Sequence, residues 1–298
     1  MGTFWKPNIL VVIVLGLIVQ PFVFLYVNKP RYFVLYFLLL IGVMIFSPDF
    51  IGAFILICPI HGYIIARRYK CQGVRPWFAR WWVTILCFLV MLSLLITIRV
   101  FFFDLFRVPA NSMSPFLNPG DKLVVDKRGF GNYRYFGMQF SKIPASVNLE
   151  RGDVIVFQYP KNTSIDFVKR IVALPGDKIT YINKKIQIEK YCRKTSCSGD
   201  GNSDYLNIVR NDKGKLLDKG LWLYEEYAGN NKYDILIDKT KKDRTSKYFT
   251  QENSKVGEWI VPLGHYFVLG DYRDKSLDSR YWGFVPQGNI IGTVAIAW

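Results

Sequence analysis

The chain has 298 residues, of which 51% are hydrophobic and 16% aromatic, and its formal net charge is +16. So apolar a composition is unusual for a wholly soluble protein and indicates a membrane part. The positive charge could indicate nucleic-acid binding, but the sequence contains no zinc-finger spacing, basic zipper or aromatic RNA-binding motif. We therefore expect no nucleic-acid partner and assign the cations to contacts with the anionic surface of a lipid bilayer.

Residues 1–106 are predicted to form a membrane anchor. Their apolar runs indicate about four transmembrane helices, at about residues 9–26, 32–46, 50–66 and 82–103. The first run could be a cleavable signal peptide, but no small-x-small cleavage pattern follows it. Pro48 and Asp49 divide the long central run into two short segments, so three spans are the alternative.

The charge of one loop predicts the orientation of this anchor. The segment "ARRYKCQGVRPWFARW" before the last helix has no acidic residue, and its cations are Arg67, Arg68, Lys70, Arg75 and Arg80. The positive-inside rule places such a loop in the cytoplasm. The last helix then runs outward, and everything after about residue 106 lies on the extracytoplasmic side, which in a bacterium is the periplasm or the cell surface.

Residues 107–298 are predicted to form a β-rich domain. Segments such as "DKLVVDK", "GDVIVFQYP", "FVKRIVAL", "DKITYINKKIQI", "HYFVLGD" and "IIGTVAIAW" are short and rich in β-branched and aromatic residues. Gly, Pro, Asn and Asp separate them, as expected between strands. The Lys- and Asn-rich stretch at about 183–250 differs from the rest and is predicted to be an inserted small subdomain.

Two cysteines lie in that insertion. Cys192 and Cys197 are close in sequence, in "YCRKTSCSG", on the oxidising side of the membrane. A disulfide between them is one alternative, and a reduced pair is the other. A metal site would need further ligands nearby, and the sequence offers none, so we expect neither a metal nor another cofactor.

A serine in "VPANSMSPFLNPGDKLVVDK" raises the question of catalysis. Ser112 lies just after the last apolar run, and a serine needs a base to become a good nucleophile. The chain has two histidines. His61 is in the membrane part, and His265 is in a strand pattern without an evident serine or acidic partner. A Ser-His-Asp triad is therefore a poor explanation.

A lysine can replace histidine as the base if burial keeps its amine uncharged. Lys169 in "DFVKRIVALPGD" is the candidate, because strand alternation would place it on one face with Phe167 and Ile171. The alternative is a solvated strand lysine with apolar neighbours, and this segment alone favours that alternative.

Four motifs change this balance when they are taken together. In order and spacing, "NSMSP…L…GD", "RGDVIVF", "FVKRIVALPGD" and "GDYRDKSLDSRYWGFVP" resemble the bacterial type I signal peptidases, from the last membrane helix to the end of the chain. The region at about 183–250 matches poorly. The resemblance implies a mostly antiparallel β catalytic domain and a membrane-bound serine endopeptidase, a monomer that cleaves signal peptides from exported preproteins after small-x-small residues.

The resemblance also implies roles for individual residues. Ser112 would be the nucleophile and Lys169 the general base, and Ser276 would orient the lysine amine. Polar residues expected to brace the site are Arg170, Asp271, Asp278 and Arg280. The oxyanion would bind the backbone N–H of Ser112. Many relatives add a hydroxyl two residues earlier, where this chain has Ala110.

Shallow apolar pockets should accept the small residues of the substrate. The candidates, by position, are Val108, Pro109, Ala110, Met113, Leu117, Phe167 and Val168. An extended substrate could also pair with an exposed edge beside the strand of Lys169. Ordinary core packing is the alternative for these side chains.

The sequence also leaves two other functions open. The first is a Ser/Lys peptidase dedicated to maturing one conjugation or pilus protein. The second, from another class, is a non-catalytic membrane-anchored protein with a β-rich binding domain. Acylation of Ser112 by a β-lactam-like penem would separate the second from a peptidase.

Overall fold

The computed structural model describes residues 5–298 apart from residues 47, 71–73, 136, 191–208, 211–212 and 229–230. Contacts divide the chain into two compact units, Met1–Ile96 and Thr97–Trp298. The two cysteines of the predicted insertion, Cys192 and Cys197, lie outside the described residues, and so does the disulfide considered between them.

The first unit is helical. In its described part the α-helices are, in chain order, α1 (Ile9–Ile18), α2 (Val23–Tyr26), α3 (Pro30–Phe46), α4 (Phe54–Arg67) and the beginning of α5 (Trp81–Phe101). Two stretches, Phe50–Arg67 and Trp81–Phe101, are long and apolar enough to span a membrane, whereas α1 and the apolar part of α3 are shorter. The number of about four spans therefore stays a prediction, and two candidates meet the requirement of length.

The predicted continuous helix over 9–26 is wrong. Helix α1 ends at Ile18, a 3₁₀ turn follows at Gln20–Phe22, and α2 is a separate short helix. Gln20 has a φ of 46° and precedes Pro21. The ring of a proline disfavours the helical region for the residue before it, so the chain leaves the helix at this point.

The last helix of this region also ends slightly earlier than expected. Helix α5 stops at Phe101 instead of residue 103. Phe103 already lies opposite Asp126 in an antiparallel strand pair, so its backbone is extended. The aromatic segment after the helix thus enters the β domain directly.

The second unit consists mainly of strands. In its described residues they are, in chain order, β1 (Phe103–Arg107), β2 (Lys122–Asp126), β3 (Asn132–Tyr135), β4 (Met138–Lys142), β5 (Val154–Tyr159), β6 (Asn162–Ala173), β7 (Asp177–Ile182), β8 (Lys185–Lys190), β9 (Val209–Arg210), β10 (Lys215–Asp218), β11 (Leu221–Ala228), β12 (Asn231–Asp238), β13 (Glu258–Ile260), β14 (His265–Leu269), β15 (Val285–Pro286) and β16 (Ile290–Ala297). A short helix, α6 (Ser279–Trp282), lies between β14 and β15. Each of the segments predicted as strands from their β-branched residues contains at least one of these.

The largest sheet has the order β1-β2-β16-β5-β6-β14-β15, and each of these neighbouring pairs is antiparallel. Smaller sheets have the order β13-β7-β8, β3-β4, and β10-β11-β12 with β9 beside β11. The mostly antiparallel β domain is therefore confirmed.

The region at about 183–250 is built into this domain by a shared core. It supplies β8 to β12, whose apolar side chains include Ile188, Tyr224 and Ile235. These pack in one buried cluster with residues of the surrounding strands, among them Trp259 and Phe267. Because this burial removes apolar surface of both parts from water, it stabilises them together.

Candidate active site

Ser112 lies on a tightly held turn. The 3₁₀ turn Asn111–Met113 follows the extended residue Ala110, and the side chain of Met113 is completely buried. The Ser112 carbonyl accepts a hydrogen bond of 3.1 Å from the backbone N–H of Tyr272. The turn is therefore fixed on one side by apolar packing and on the other by the segment that follows β14.

Gly270 makes this close approach feasible. A Cβ atom at this position would lie 2.5 Å from the Ser112 carbonyl oxygen and would also collide with Ser276 Oγ. Real Cβ atoms do not come so near to a backbone atom, so a larger residue would displace the turn. The packing beside Ser112 thus explains the glycine of the "GDYRDKS" motif.

Lys169 brings its amine to Ser112 from the middle of β6. Its Nζ lies 2.8 Å from Ser112 Oγ and donates a second hydrogen bond of 2.8 Å to the carbonyl of Val168. The residue is 4% exposed. Burial lowers the pKa of the Lys169 amine from 10.5 to about 8, although the negative charges of Asp278 and Asp271 act in the opposite direction.

The neighbouring edge of β6 is open at this position. Strand β14 pairs with β6 at Arg170, Ile171 and Ala173. The part of β6 before Lys169 has β5 on one side, and within the described residues no strand of the sheet lies on the other. An extended peptide could add there, with its backbone beside both Ser112 and Lys169.

The four polar residues expected to brace the site form two buried ion pairs. Arg170 binds Asp271 with two hydrogen bonds of 2.8 and 2.6 Å. Arg280 binds Asp278 in the same bidentate way, at 2.8 and 2.9 Å. Asp278 also accepts a 3.1 Å hydrogen bond from the backbone N–H of Gly270. The Arg170–Asp271 pair therefore fixes the segment after β14 against β6, and the Arg280–Asp278 pair braces that segment internally.

Ser276 lies close to the dyad without the hydrogen bond that the resemblance implied. Its Oγ is buried and packs against Gly270, and it has no hydrogen-bond partner in the described part of the chain. The Lys169 amine donates to the Val168 carbonyl instead. Ser276 is thus brought to the site, but in this conformation it does not hold the amine.

The candidates for substrate contact separate into two groups. Val108, Met113, Leu117 and Val168 belong to one apolar cluster beside the dyad, and Met113 and Leu117 are completely buried in it. Pro109 and Ala110 are exposed. Phe167 packs elsewhere, with its ring stacked on Tyr159. Pro109 and Ala110 can therefore contact a substrate directly. Met113 and Leu117 instead pack beneath the apolar surface beside Ser112.

One further buried ion pair was not predicted from the sequence. Arg273 and Glu226 are each 1% exposed and form a bidentate pair, and Arg280 donates a 2.6 Å hydrogen bond to the Arg273 carbonyl. Glu226 comes from the predicted insertion. Strand alternation could have found it, because Glu226 shares the buried face of β11 with Tyr224 and Ala228.

A second buried lysine was missed as well. Lys127 has no exposed surface, and burial lowers the pKa of its amine. Its Nζ donates hydrogen bonds to the carbonyls of Arg99 and Arg134 and lies 3.9 Å from Asp104. Its recorded partners are backbone carbonyls and a carboxylate rather than a serine, so Lys169 is the better candidate for a base.

The described residues contain no group of three or more His, Cys, Asp or Glu side chains that could hold a metal ion. The site itself presents an amine beside a hydroxyl, together with backbone N–H groups. Such an arrangement can transfer an acyl group through a serine ester.

Comparison with known proteins identifies the family of the chain. Residues 79–298 match the family model "Signal peptidase, peptidase S26". The chain is 38% identical over 252 residues to signal peptidase I of Buchnera aphidicola subsp. Baizongia pistaciae, an alignment that covers 77% of this chain and 78% of the relative. It is also 38% identical to signal peptidase I of Buchnera aphidicola subsp. Schizaphis graminum, over 67% of this chain and 69% of the relative.

A crystal structure of signal peptidase I from Enterococcus faecalis aligns with 50% of this chain and 98% of its own, at 25% identity and a TM-score of 0.27. The family model covers well over half of the chain, and curated relatives align with most of it. The chain therefore belongs to the bacterial type I signal peptidases of family S26, the serine endopeptidases that cleave signal peptides.

Proposed function

We propose that Ser112 and Lys169 are the nucleophile and the general base of this signal peptidase. The observation that carries the proposal is the 2.8 Å distance between a buried lysine amine and the serine hydroxyl. A lysine in water is almost fully charged at neutral pH, but burial lowers the pKa of Lys169 to about 8. A substantial fraction of the amine is then free to accept a proton.

In the first half of the reaction, Ser112 Oγ attacks the carbonyl carbon of the scissile bond while the Lys169 amine takes the hydroxyl proton. The resulting ammonium gives this proton to the leaving amine, and the C–N bond breaks. In the second half, the same amine removes a proton from the water molecule that attacks the ester carbonyl carbon. The ammonium then returns this proton to Ser112 Oγ as the bond between the acyl carbon and Oγ breaks, which releases the serine.

The oxyanion needs hydrogen-bond donors in both halves. The backbone N–H of Ser112 has no acceptor among the described residues and supplies one donor. The side chain two residues earlier, Ala110, has no hydroxyl to supply another. We assign stabilisation of the oxyanion mainly to the backbone.

Ser276 is assigned a positioning role in the same site. Its buried and unpartnered Oγ lies against Gly270, which in turn contacts the nucleophile turn. In this proposal the hydroxyl accepts a hydrogen bond from the lysine amine during the reaction. Arg170, Asp271, Asp278 and Arg280 are structural in this proposal, since each charge is already satisfied by an ion pair.

The substrate is proposed to be an exported preprotein whose signal peptide ends in a small-x-small sequence. An extended strand added to the open edge of β6 would place alternate side chains towards Val168 and the exposed pair Pro109 and Ala110. Small side chains would fit this shallow surface.

The membrane arrangement is also a proposal beyond the two candidate spans. The basic loop before α5 predicts a cytoplasmic location, so that the catalytic unit is extracytoplasmic and the anchor is multi-pass. We propose that the enzyme acts as a monomer at the outer surface of the bilayer and binds no nucleic acid. Protease protection of right-side-out and inverted vesicles would test the orientation.

Cleavage of one model preprotein by variants of the full chain in detergent tests the dyad. Ser112→Ala and Lys169→Ala should each reduce kcat by at least about a thousandfold. Ser164→Ala and Lys161→Ala, matched changes at exposed positions near β6, should cleave like the wild type. Near-normal activity of Lys169→Ala would contradict the dyad while leaving family membership intact. Mass spectrometry after reaction with a penem should find the acyl group on Ser112.

A further inference from the structure

A cationic hollow lies beside the active site and has no role in the dyad. Its volume is about 450 Å³, and it is lined by Ser276, Leu277, Tyr281 and a set of charged residues. Most of these charges come from the segment between β12 and β13, whose sequence "KTKKDRTSK" is among the most basic in the chain. We call this feature the basic hollow.

Its acidic residue is already neutralised by a partner. Asp274 lies 2.6 Å from the amine of Lys184, and both side chains are largely buried. Lys241, at the rim, lies 3.4 Å from Asp238. The carboxylates around the basic hollow are thus occupied and do not cancel its remaining cations.

Three cations remain without an ion pair among the residues that the structure describes. They are Arg244, Lys247 and Lys275, and Lys275 lies 4.8 Å from the ring centroid of Tyr272. Arg244 and Lys247 are exposed. Like charges held in one concave surface repel one another and are stabilised by an anion placed between them.

The basic hollow begins next to the nucleophile. Ser276 lines it and packs against Gly270, whose α-carbon lies against the Ser112 carbonyl. The backbone of Tyr272 also binds that carbonyl. The apolar surface at Val168 belongs to a different cluster. The turn that carries Ser112 therefore has both an apolar surface and a cationic surface near it.

We propose that the basic hollow receives the first residues after the cleaved bond and selects preproteins that carry carboxylates there. This inference rests on the dyad proposed above. The apolar signal peptide precedes the cleaved bond and is complementary to the apolar surface. The chain that follows the bond then extends towards Ser276 and Leu277, where Asp or Glu side chains can meet Arg244 and Lys247.

The test compares three preproteins that share one signal peptide and cleavage site. Positions two to five after the cut contain two Asp, two Asn or two Lys residues. The full-length wild type in detergent should cleave the Asp substrate with a kcat/KM about fivefold higher than the Asn substrate at low ionic strength, because exposed pairs contribute modestly. The ratio should fall towards one at high salt.

Two double variants test whether the preference for the Asp substrate arises in the basic hollow. In Arg244→Gln/Lys247→Gln, the preference for Asp should disappear while cleavage of the Asn substrate stays unchanged. In the control Lys215→Gln/Lys219→Gln, which removes the same charge at the exposed β10–β11 hairpin, the preference should persist. Arg244→Glu should invert the order in favour of the Lys substrate.

An equal preference in the two double variants, or none in the wild type, would overturn the inference. In both cases cleavage of the Asn substrate would still report the dyad. If the wild type and Ser112→Ala cleaved that substrate equally, the failure would instead concern the catalytic assignment. The two failures are therefore distinguishable in one set of measurements.

Discussion

The titration of Lys169 provides a quantitative test of the proposed base. Burial lowers the pKa of its amine to about 8, from an ordinary value of 10.5. At about 1.4 kcal/mol for each unit of pKa, the folded protein holds the charged form about 3 kcal/mol less favourably than water does. This cost is present below pH 8 and vanishes above about pH 10.5, because there the lysine of the unfolded chain is neutral as well.

The same pKa fixes the shape of the pH profile. The neutral fraction of the amine is about one tenth at pH 7, one half at pH 8 and nine tenths at pH 9. We therefore expect kcat/KM to rise about fivefold from pH 7 to 8, less than twofold from pH 8 to 9, and hardly at all beyond. A lysine in water would instead give a tenfold increase for every unit up to about pH 10.

The assay is cleavage of a model preprotein by the full chain, with substrate below KM, from pH 6 to 10. Samples returned to pH 8 control for irreversible inactivation. In a second enzyme, Lys169→Cys is alkylated with bromoethylamine, which restores an amine of lower basicity because the sulfur withdraws electrons. Its profile should shift to lower pH. A wild-type profile that keeps rising to pH 10, or an identical profile for the alkylated variant, would refute Lys169 as the base.

Three further changes follow from the geometry. Gly270→Ala should lower kcat/KM about a hundredfold, because the added Cβ would lie 2.5 Å from the Ser112 carbonyl oxygen. Single-turnover cleavage would reveal this loss, and retained activity would mean that the turn can shift freely. Ala110→Ser should raise kcat up to about tenfold by adding an oxyanion donor, with KM unchanged. Glu226→Gln should lower the free energy of unfolding by about 3 kcal/mol, because it leaves the charge of Arg273 uncompensated. A lowered thermal midpoint would show this loss, and the double variant Glu226→Leu/Arg273→Met should recover most of it.

Local patterns were sufficient to predict several of the strands, because alternation and turn residues act over a few positions, but β1, β3, β4 and β13 were not predicted. Local patterns did not join Ser112 to Lys169; the resemblance carried by the four motifs predicted that the two residues share one site. The pattern of apolar residues could not predict the break of the first helix, where Gln20 precedes Pro21 and leaves the helical region. Hydropathy records the length of an apolar run, whereas the conformation before a proline depends on backbone sterics.

Contacts between distant segments were harder to predict. Glu226 and Arg273 belong to stretches that show no shared signal, and their pairing depends on how β11 packs beneath the segment after β14. The missing hydrogen bond of Ser276 has a similar origin. The lysine amine donates to the Val168 carbonyl instead, and the motifs do not indicate this contact.

The two ion pairs near the dyad explain how a buried lysine can remain weakly basic between two carboxylates. Isolated charges on Asp271 and Asp278 would favour the ammonium form of Lys169 and raise its pKa. Each carboxylate, however, binds its own guanidinium through two hydrogen bonds, Asp271 that of Arg170 and Asp278 that of Arg280. Burial outweighs the effect of these two carboxylates on the Lys169 amine, so that its pKa is lowered overall. The arginines thus leave neither carboxylate as an unpaired charge beside the proposed base.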